Sequence, residues 1–162
     1  MKKIIALVIL CFAFLPSHAA LANSPPAHPV SGWLKAYQQF DLEAFLGFYA
    51  EDVHFADPTA RLDFTSRDQL ASAYTGIMQG RYGGNFTFEV NRTVTQGDTV
   101  VLEGLFSLTW NGQKAAINFT TWLEFKDSKI SRQLDMFDYG RLQRQIPTYG
   151  QGTPSEYAPT SE

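Results

Sequence analysis

Phe48-Tyr49-Ala50-Glu51-Asp52-Val53-His54-Phe55-Ala56-Asp57-Pro58 is the stretch where helical periodicity gives way to that of a strand. From Val53 onward the side chains alternate across an extended backbone. Val53, Phe55 and Asp57 therefore share one face, and His54 and Ala56 the other. Pro58 cannot donate to a sheet ladder and biases Asp57 toward an extended conformation, so the strand stops with a carboxylate at its mouth on an otherwise apolar face. Asp-Pro is also common turn chemistry, so the pattern alone leaves Asp57 two roles, turn opener or pocket carboxylate.

Upstream of this stretch, a first helix starts near Ser31, with Trp33, Tyr37 and Phe40 at helical spacing as one aromatic stripe. Asp41 is placed to cap a second helix whose apolar face is Leu42, Phe45, Leu46 and Tyr49. Downstream, Ser66 with Gln69 three residues on opens a third helix that turns Leu70, Tyr74, Ile77 and Met78 inward, and Gly80, Gly83 and Gly84 end it. From Asn85 the period becomes two. Strands are predicted from Asn85, from Thr99 to Trp110, from Gln113, and from Ile130 to about Leu142, joined at Gly97-Asp98, Asn111-Gly112 and Lys126-Asp127-Ser128-Lys129. The expected architecture is α+β: three N-terminal helices packed on a curved, mainly antiparallel sheet, forming a cone that encloses an apolar pocket.

The 162 residues, 44% of them hydrophobic, suffice for one domain with a real core. That domain is expected over residues 31–146. Lys2 and Lys3, the apolar run Ile4 to Leu15 and Ala20-Leu21-Ala22 have the form of an export signal over residues 1–22, too short to span a membrane stably. A Pro-rich lead-in (23–30) follows, and a disordered tail is expected over 147–162. The formal charge of −3 becomes more negative once Lys2 and Lys3 are removed, which disfavours nucleic acid and anionic lipid as partners. The single cysteine, Cys11, lies inside the signal, so the mature chain has no thiol for disulfides, metal or nucleophilic chemistry. A bacterial periplasmic or secreted location is expected.

The chain resembles the SnoaL-like and ketosteroid-isomerase-like group of the nuclear-transport-factor-two-like superfamily. The residues that carry the resemblance are Asp41-Leu42-Glu43-Ala44, Phe48-Tyr49-Ala50-Glu51-Asp52, Phe55-Ala56-Asp57-Pro58, Trp110-Asn111-Gly112-Gln113 and Phe125-Lys126-Asp127-Ser128-Lys129-Ile130. The resemblance implies that Asp57 stands where the isomerases keep their proton-shuttling base. In those isomerases a tyrosine and a protonated aspartic acid form the oxyanion hole; the matching positions here hold Trp33 and Thr121, with Tyr37 one helical turn on as a substitute donor. Arg132-Gln133-Leu134-Asp135-Met136-Phe137-Asp138 is similar to limonene epoxide hydrolase, with Asp135 as the water-activating carboxylate. Gly104 and Phe106 stand near the places of that enzyme's arginine and second aspartate, so its triad is absent. Polyketide cyclases of the SnoaL type use one acidic residue in a hydrophobic cavity, a requirement that Asp57 or Asp135 meets alone.

The expected site has Asp57 and Asp135 as catalytic carboxylates, with Trp33, Tyr37, Phe55, Tyr74, Phe119, Thr121 and Phe137 binding substrate. Asp135 has a competing role as the ion-pair partner of Arg132 or Arg141. His54, of opposite parity to Asp57, is expected in sheet packing or a dimer contact. With no second histidine nearby, no metal is expected, nor any other cofactor. The expected function is binding of a small hydrophobic molecule, with isomerase, cyclase or lyase chemistry using an Asp base. The alternative is a non-catalytic periplasmic binding module, or a homodimeric interaction module using Trp122 and Phe106 on the sheet face.

Overall fold

The computed structural model describes residues 29–79 and 86–151. Helix α1 (Val30–Gln38) is followed by the short α2 (Leu42–Leu46), which Asp41 caps by accepting from the Ala44 backbone N–H at 3.0 Å. Strand β1 (Tyr49–Asp57) then buries Tyr49, Val53, Phe55 and Asp57 and exposes His54. After a short β2 (Leu62–Phe64), helix α3 (Arg67–Met78) opens on Ser66, whose side chain accepts from the Gln69 N–H. The Gln69 carboxamide in turn accepts from Thr65 N–H at 2.8 Å, one residue before the cap. The expected helix-ending glycines Gly80, Gly83 and Gly84 lie outside the described residues.

Strands β3 (Phe86–Gln96), β4 (Thr99–Trp110), β5 (Gln113–Lys126) and β6 (Lys129–Phe137) form the meander. Asn111 and Gly112, at φ +48° and +75°, make a tight hairpin of the twist that favours Asn-Gly. Asp127 and Ser128, at +51° and +63°, do the same without a glycine. The six described strands form one sheet in the order β2-β1-β6-β5-β4-β3. Every pairing is antiparallel except that of β1 with β6, which aligns Phe55 with Gln133 and Ala56 with Leu134.

Two expectations change at the C-terminal end. The last strand stops at Phe137, because Asp138 accepts from Arg141 N–H at 2.8 Å and starts a fourth helix, α4 (Tyr139–Gln145). This helix buries Leu142, and Ile146 just beyond it, against Trp110, Ala115 and Ile117, while Gln145 bonds both backbone groups of Ala116. The expected tail is ordered as far as Gln151, with Tyr149 edge-on to Trp110 at 5.1 Å. The rest of the tail, like residues 1–28, lies outside the described residues. Phe106 also sits elsewhere than expected: it faces inward against Phe88 and Phe137, leaving Val94, Trp122 and Met136 as the large apolar side chains exposed on these strands.

The sheet curves where the register slips between Val90 and Arg92. There the β3 backbone leans over Gly104: an added Cβ would lie 2.0 Å from the Glu89 carbonyl oxygen and 2.9 Å from the Phe119 ring. Since the obstacle is backbone, Gly104→Ala is expected to destabilise the fold by about 3 kcal/mol, the upper end for overpacking. Urea unfolding followed by tryptophan fluorescence measures it.

Candidate functional site

The parallel register of β1 and β6 sets Asp57 and Asp135, each one residue past the aligned pair Ala56 and Leu134, at neighbouring positions on the inner face. Both are buried, at 2% and 5% exposure, and both line one cavity of about 100 Å³. Tyr37, Phe55, Tyr74 and Phe137, expected as ligand contacts, line it too. The other three expected contacts do not. Trp33 is buried against Phe45, Phe119 stacks behind Phe137 at 5.8 Å, and Thr121 lies across the ladder from Asp135, so none of them belongs to the lining. His54 pairs with Asp63 of β2 at 2.8 Å on the exposed face.

The two carboxylates have opposite surroundings. Asp57 Oδ1 accepts from Thr59 N–H at 3.0 Å, Thr59 Oγ1 at 2.5 Å and Ala60 N–H at 3.0 Å, and Oδ2 accepts from the Tyr139 hydroxyl at 3.2 Å. It thus opens the turn, as Asp-Pro chemistry allows, and also faces the cavity. Asp135 receives one hydrogen bond, from Gln133 Nε2 to Oδ2 at 2.8 Å, while its buried Oδ1 has no partner. The expected partner Arg132 is bound instead to Glu124 at 2.5 Å on the outer face.

Gln133 is itself oriented by a buried chain. The Trp33 indole N–H donates to the Tyr49 hydroxyl at 2.8 Å, and that hydroxyl donates to Gln133 Oε1 at 2.6 Å. Indole is donor-only, so it fixes the direction of the whole chain and turns the Gln133 amide nitrogen toward Asp135. Trp33, expected to offer its N–H to a ligand, thus acts through Tyr49 and Gln133.

Burial raises the Asp135 carboxyl from 3.8 to about 7. The Thr121 hydroxyl and the Gln133 amide draw it part of the way back, and the charge of Asp57 adds to the rise. Tyr37, Tyr74 and Tyr139 are all pushed well above the usual phenol range, by burial first, with the Asp135 charge adding at all three and the Asp57 charge at Tyr37 and Tyr139. Their hydroxyls therefore stay protonated donors.

Tyr49 and Gln133 were missed because a mid-strand tyrosine and glutamine read as ordinary core and ladder residues. Tyr139 and Tyr149, which also line the cavity, were missed because α4 was. The pattern Asp138-x-x-Arg141 with Leu142 and Ile146 four apart was the available signal. Among the described residues no group of three or more His, Cys, Asp or Glu converges as a metal site would require.

The model of the SnoaL-like domain matches residues 30–133. The chain belongs to the SnoaL-like domain family. Its solved structural neighbours agree. A protein assigned as a SnoaL-like polyketide cyclase of Shewanella denitrificans is 22% identical with a TM-score of 0.66, over 74% of this chain and 94% of its own. A protein of ketosteroid-isomerase-like fold from Catenulispora acidiphila, in complex with trimethylamine, is 18% identical with a TM-score of 0.65, over 75% and 93%. An LEH-like epoxide hydrolase of M. tuberculosis is 20% identical with a TM-score of 0.62, over 74% and 90%. At such identities the likeness shows the fold. No curated protein matches the chain significantly.

Two outcomes follow from this geometry. Between 3.8 and about 7 the folded SnoaL-like domain holds a proton on Asp135 that the unfolded chain has lost. This contribution is full below that window and is lost as pH rises through it, by on the order of 4 kcal/mol. Subtracting the urea-unfolding stability of Asp135→Asn from that of the wild type at each pH isolates this slope from those of other carboxylates. Separately, Tyr49→Phe strands the Trp33 N–H and the Gln133 carbonyl, and is expected to cost about 2–4 kcal/mol in the same assay.

Proposed function

We propose that this SnoaL-like protein is a cofactor-independent acid–base enzyme of the isomerase, cyclase or lyase kind, acting on a small, largely hydrophobic molecule with Asp135 as the proton-transfer group. The observation that carries the reading is the state of Asp135: a buried carboxyl in an aromatic cavity, with one oxygen tied to Gln133, the other unpartnered, and a proton affinity raised to about 7. A general acid or base works best with a pKa near the ambient pH. Asp57, whose Oδ1 holds three donors of the turn, stands beside it, and its charge helps to keep a proton on Asp135.

In the forward step the Asp135 carboxylate takes a proton from an acidic carbon of the substrate, or from a water directed at it, and returns the proton at a neighbouring atom. Tyr37 is the hydroxyl donor for charge that develops on oxygen, since the Tyr139 proton is committed to Asp57 Oδ2. The loss of Trp33 and Thr121 from the cavity wall favours a second reading, a binding module that has kept the fold without turnover. In either case we propose export to the periplasm, directed by residues 1–22, and self-association through the sheet face around Trp122.

The test is incubation of the protein in heavy water with a panel of small ketones, lactones and epoxides, followed by mass spectrometry for deuterium uptake or rearranged product. Wild type is expected to act on at least one of them, and Asp135→Asn to lower its rate by about 10²–10⁴-fold. Asp135→Asn turning over as fast as wild type would sink the assignment. Binding of a panel member by wild type without exchange would favour the binding module.

A further inference from the structure

Two buried carboxylates line the cavity, and among its described lining residues there is no lysine, arginine or histidine to balance them. The basic residue next to them on β6, Arg132, is bound to Glu124. What surrounds the carboxylates instead is aromatic: Tyr37, Tyr74, Phe86, Phe106 and Phe137 present rings to the same space. Asp135 belongs to this wall, and its buried Oδ1 has no hydrogen-bond partner.

Each feature selects on charge. An anionic ligand would be repelled by both carboxylates. A neutral apolar ligand would line the space beside the two carboxylates without pairing either of them, and gains nothing from their charge. A cation gains on both counts, because ring faces attract positive charge and do so more strongly where water is excluded. At about 100 Å³ the cavity is smaller than the roughly 150 Å³ space that admits a benzene ring, so the group that enters is only a few heavy atoms.

We propose that the cavity recognises a small protonated alkylamine, or the ammonium end of a larger molecule, whose N–H donates to the Asp135 carboxylate while its alkyl groups lie against the rings. The inference rests on this cavity being the functional site, and names the ligand class it takes. The groups facing the ammonium are Asp57 from β1, Asp135 from β6, Tyr37 from α1, Tyr74 from α3, and Tyr139 and Tyr149 from α4 and the segment after it, while Gln133 and Thr121 adjoin the Asp135 carboxyl behind the wall. The tyrosines stay neutral donors, so the pH dependence belongs to Asp135. Binding sharpens as pH rises and that carboxyl ionises, and below its titration range a bound ammonium displaces a proton from it.

Calorimetric titration of the whole protein tests this with probes of similar shape and different charge: trimethylammonium, neutral tert-butanol and anionic pivalate, below and above the Asp135 titration. Trimethylammonium is expected to bind about tenfold or more tighter than tert-butanol, with pivalate not binding. The preference should grow with pH, and the buffer dependence of the heat below the titration should show proton release. Asp135→Asn, checked for folding by circular dichroism, should lose about tenfold in trimethylammonium affinity and the pH dependence with it. Equal or tighter binding of tert-butanol or pivalate, unchanged trimethylammonium affinity in Asp135→Asn, or no trimethylammonium binding by folded wild type would each overturn the proposal. Deuterium exchange that depends on Asp135, in a protein with no cation preference, would overturn the ligand class alone. Cation binding without exchange would instead overturn the enzymatic reading.

Discussion

Parallel pairing of β1 with β6 aligns Ala56 with Leu134 and so brings together two strand ends far apart in sequence. Almost every feature of the site depends on that ladder. It sets Asp57 beside Asp135, lets the Thr59 hydroxyl that holds Asp57 also accept from Phe137 N–H at 3.4 Å, and places Tyr49 where its hydroxyl reaches Gln133. Parallel pairs need a long crossover, and here the crossover is the greater part of the domain. Helix α3 and strands β3 to β5 are thus obliged to close around the β1–β6 seam, α4 follows it, and the cavity is the space they leave.

Buried polar groups inside such a seam are tolerated only when their bonds are complete, since an unmade one costs about 1–3 kcal/mol. The Trp33–Tyr49–Gln133–Asp135 chain meets that condition at every member except the last atom. Each group has one arrangement compatible with its neighbours, and the donor-only indole at the far end removes the alternative direction. The chain thereby leaves its one deficit at the buried Asp135 Oδ1, on a residue that lines the cavity.

The helices capped by Asp41 and Ser66, the Asn111-Gly112 hairpin and the face shared by Val53, Phe55 and Asp57 were legible because each rests on local chemistry: a side-chain cap, a pair of positive φ angles, a two-residue period. The inward parity of Asp135 was legible for the same reason. The parallel β1–β6 register was not, because strand partners leave no local mark. Helix α4 was missed for a different reason: Ile130 to Leu142 contains enough apolar residues at even spacing to extend a strand, and only the Asp138 cap interrupts it. Tyr139 and Tyr149 went with it. Trp33 was placed on the correct helix face, but which donor it would satisfy depended on Tyr49, a strand residue whose partner lies 84 positions on.

The contrast between the two carboxylates follows from where each sits on its strand. Asp57 ends β1 just before Pro58, so the chain turns back over it and supplies backbone and side-chain donors from Thr59 and Ala60 at once. Asp135 lies two residues short of the end of β6, with its own backbone committed to the sheet and its neighbours across the ladder occupied by pairing. No local segment is free to fold back and solvate it, so desolvation dominates there. A residue at a strand end is hydrogen-bonded by the turn that follows, whereas one inside the strand depends on other elements. In this chain those elements leave one oxygen of Asp135 without a partner. The same residue type, on adjacent parallel strands, is thereby given two different sets of partners by the position of a turn.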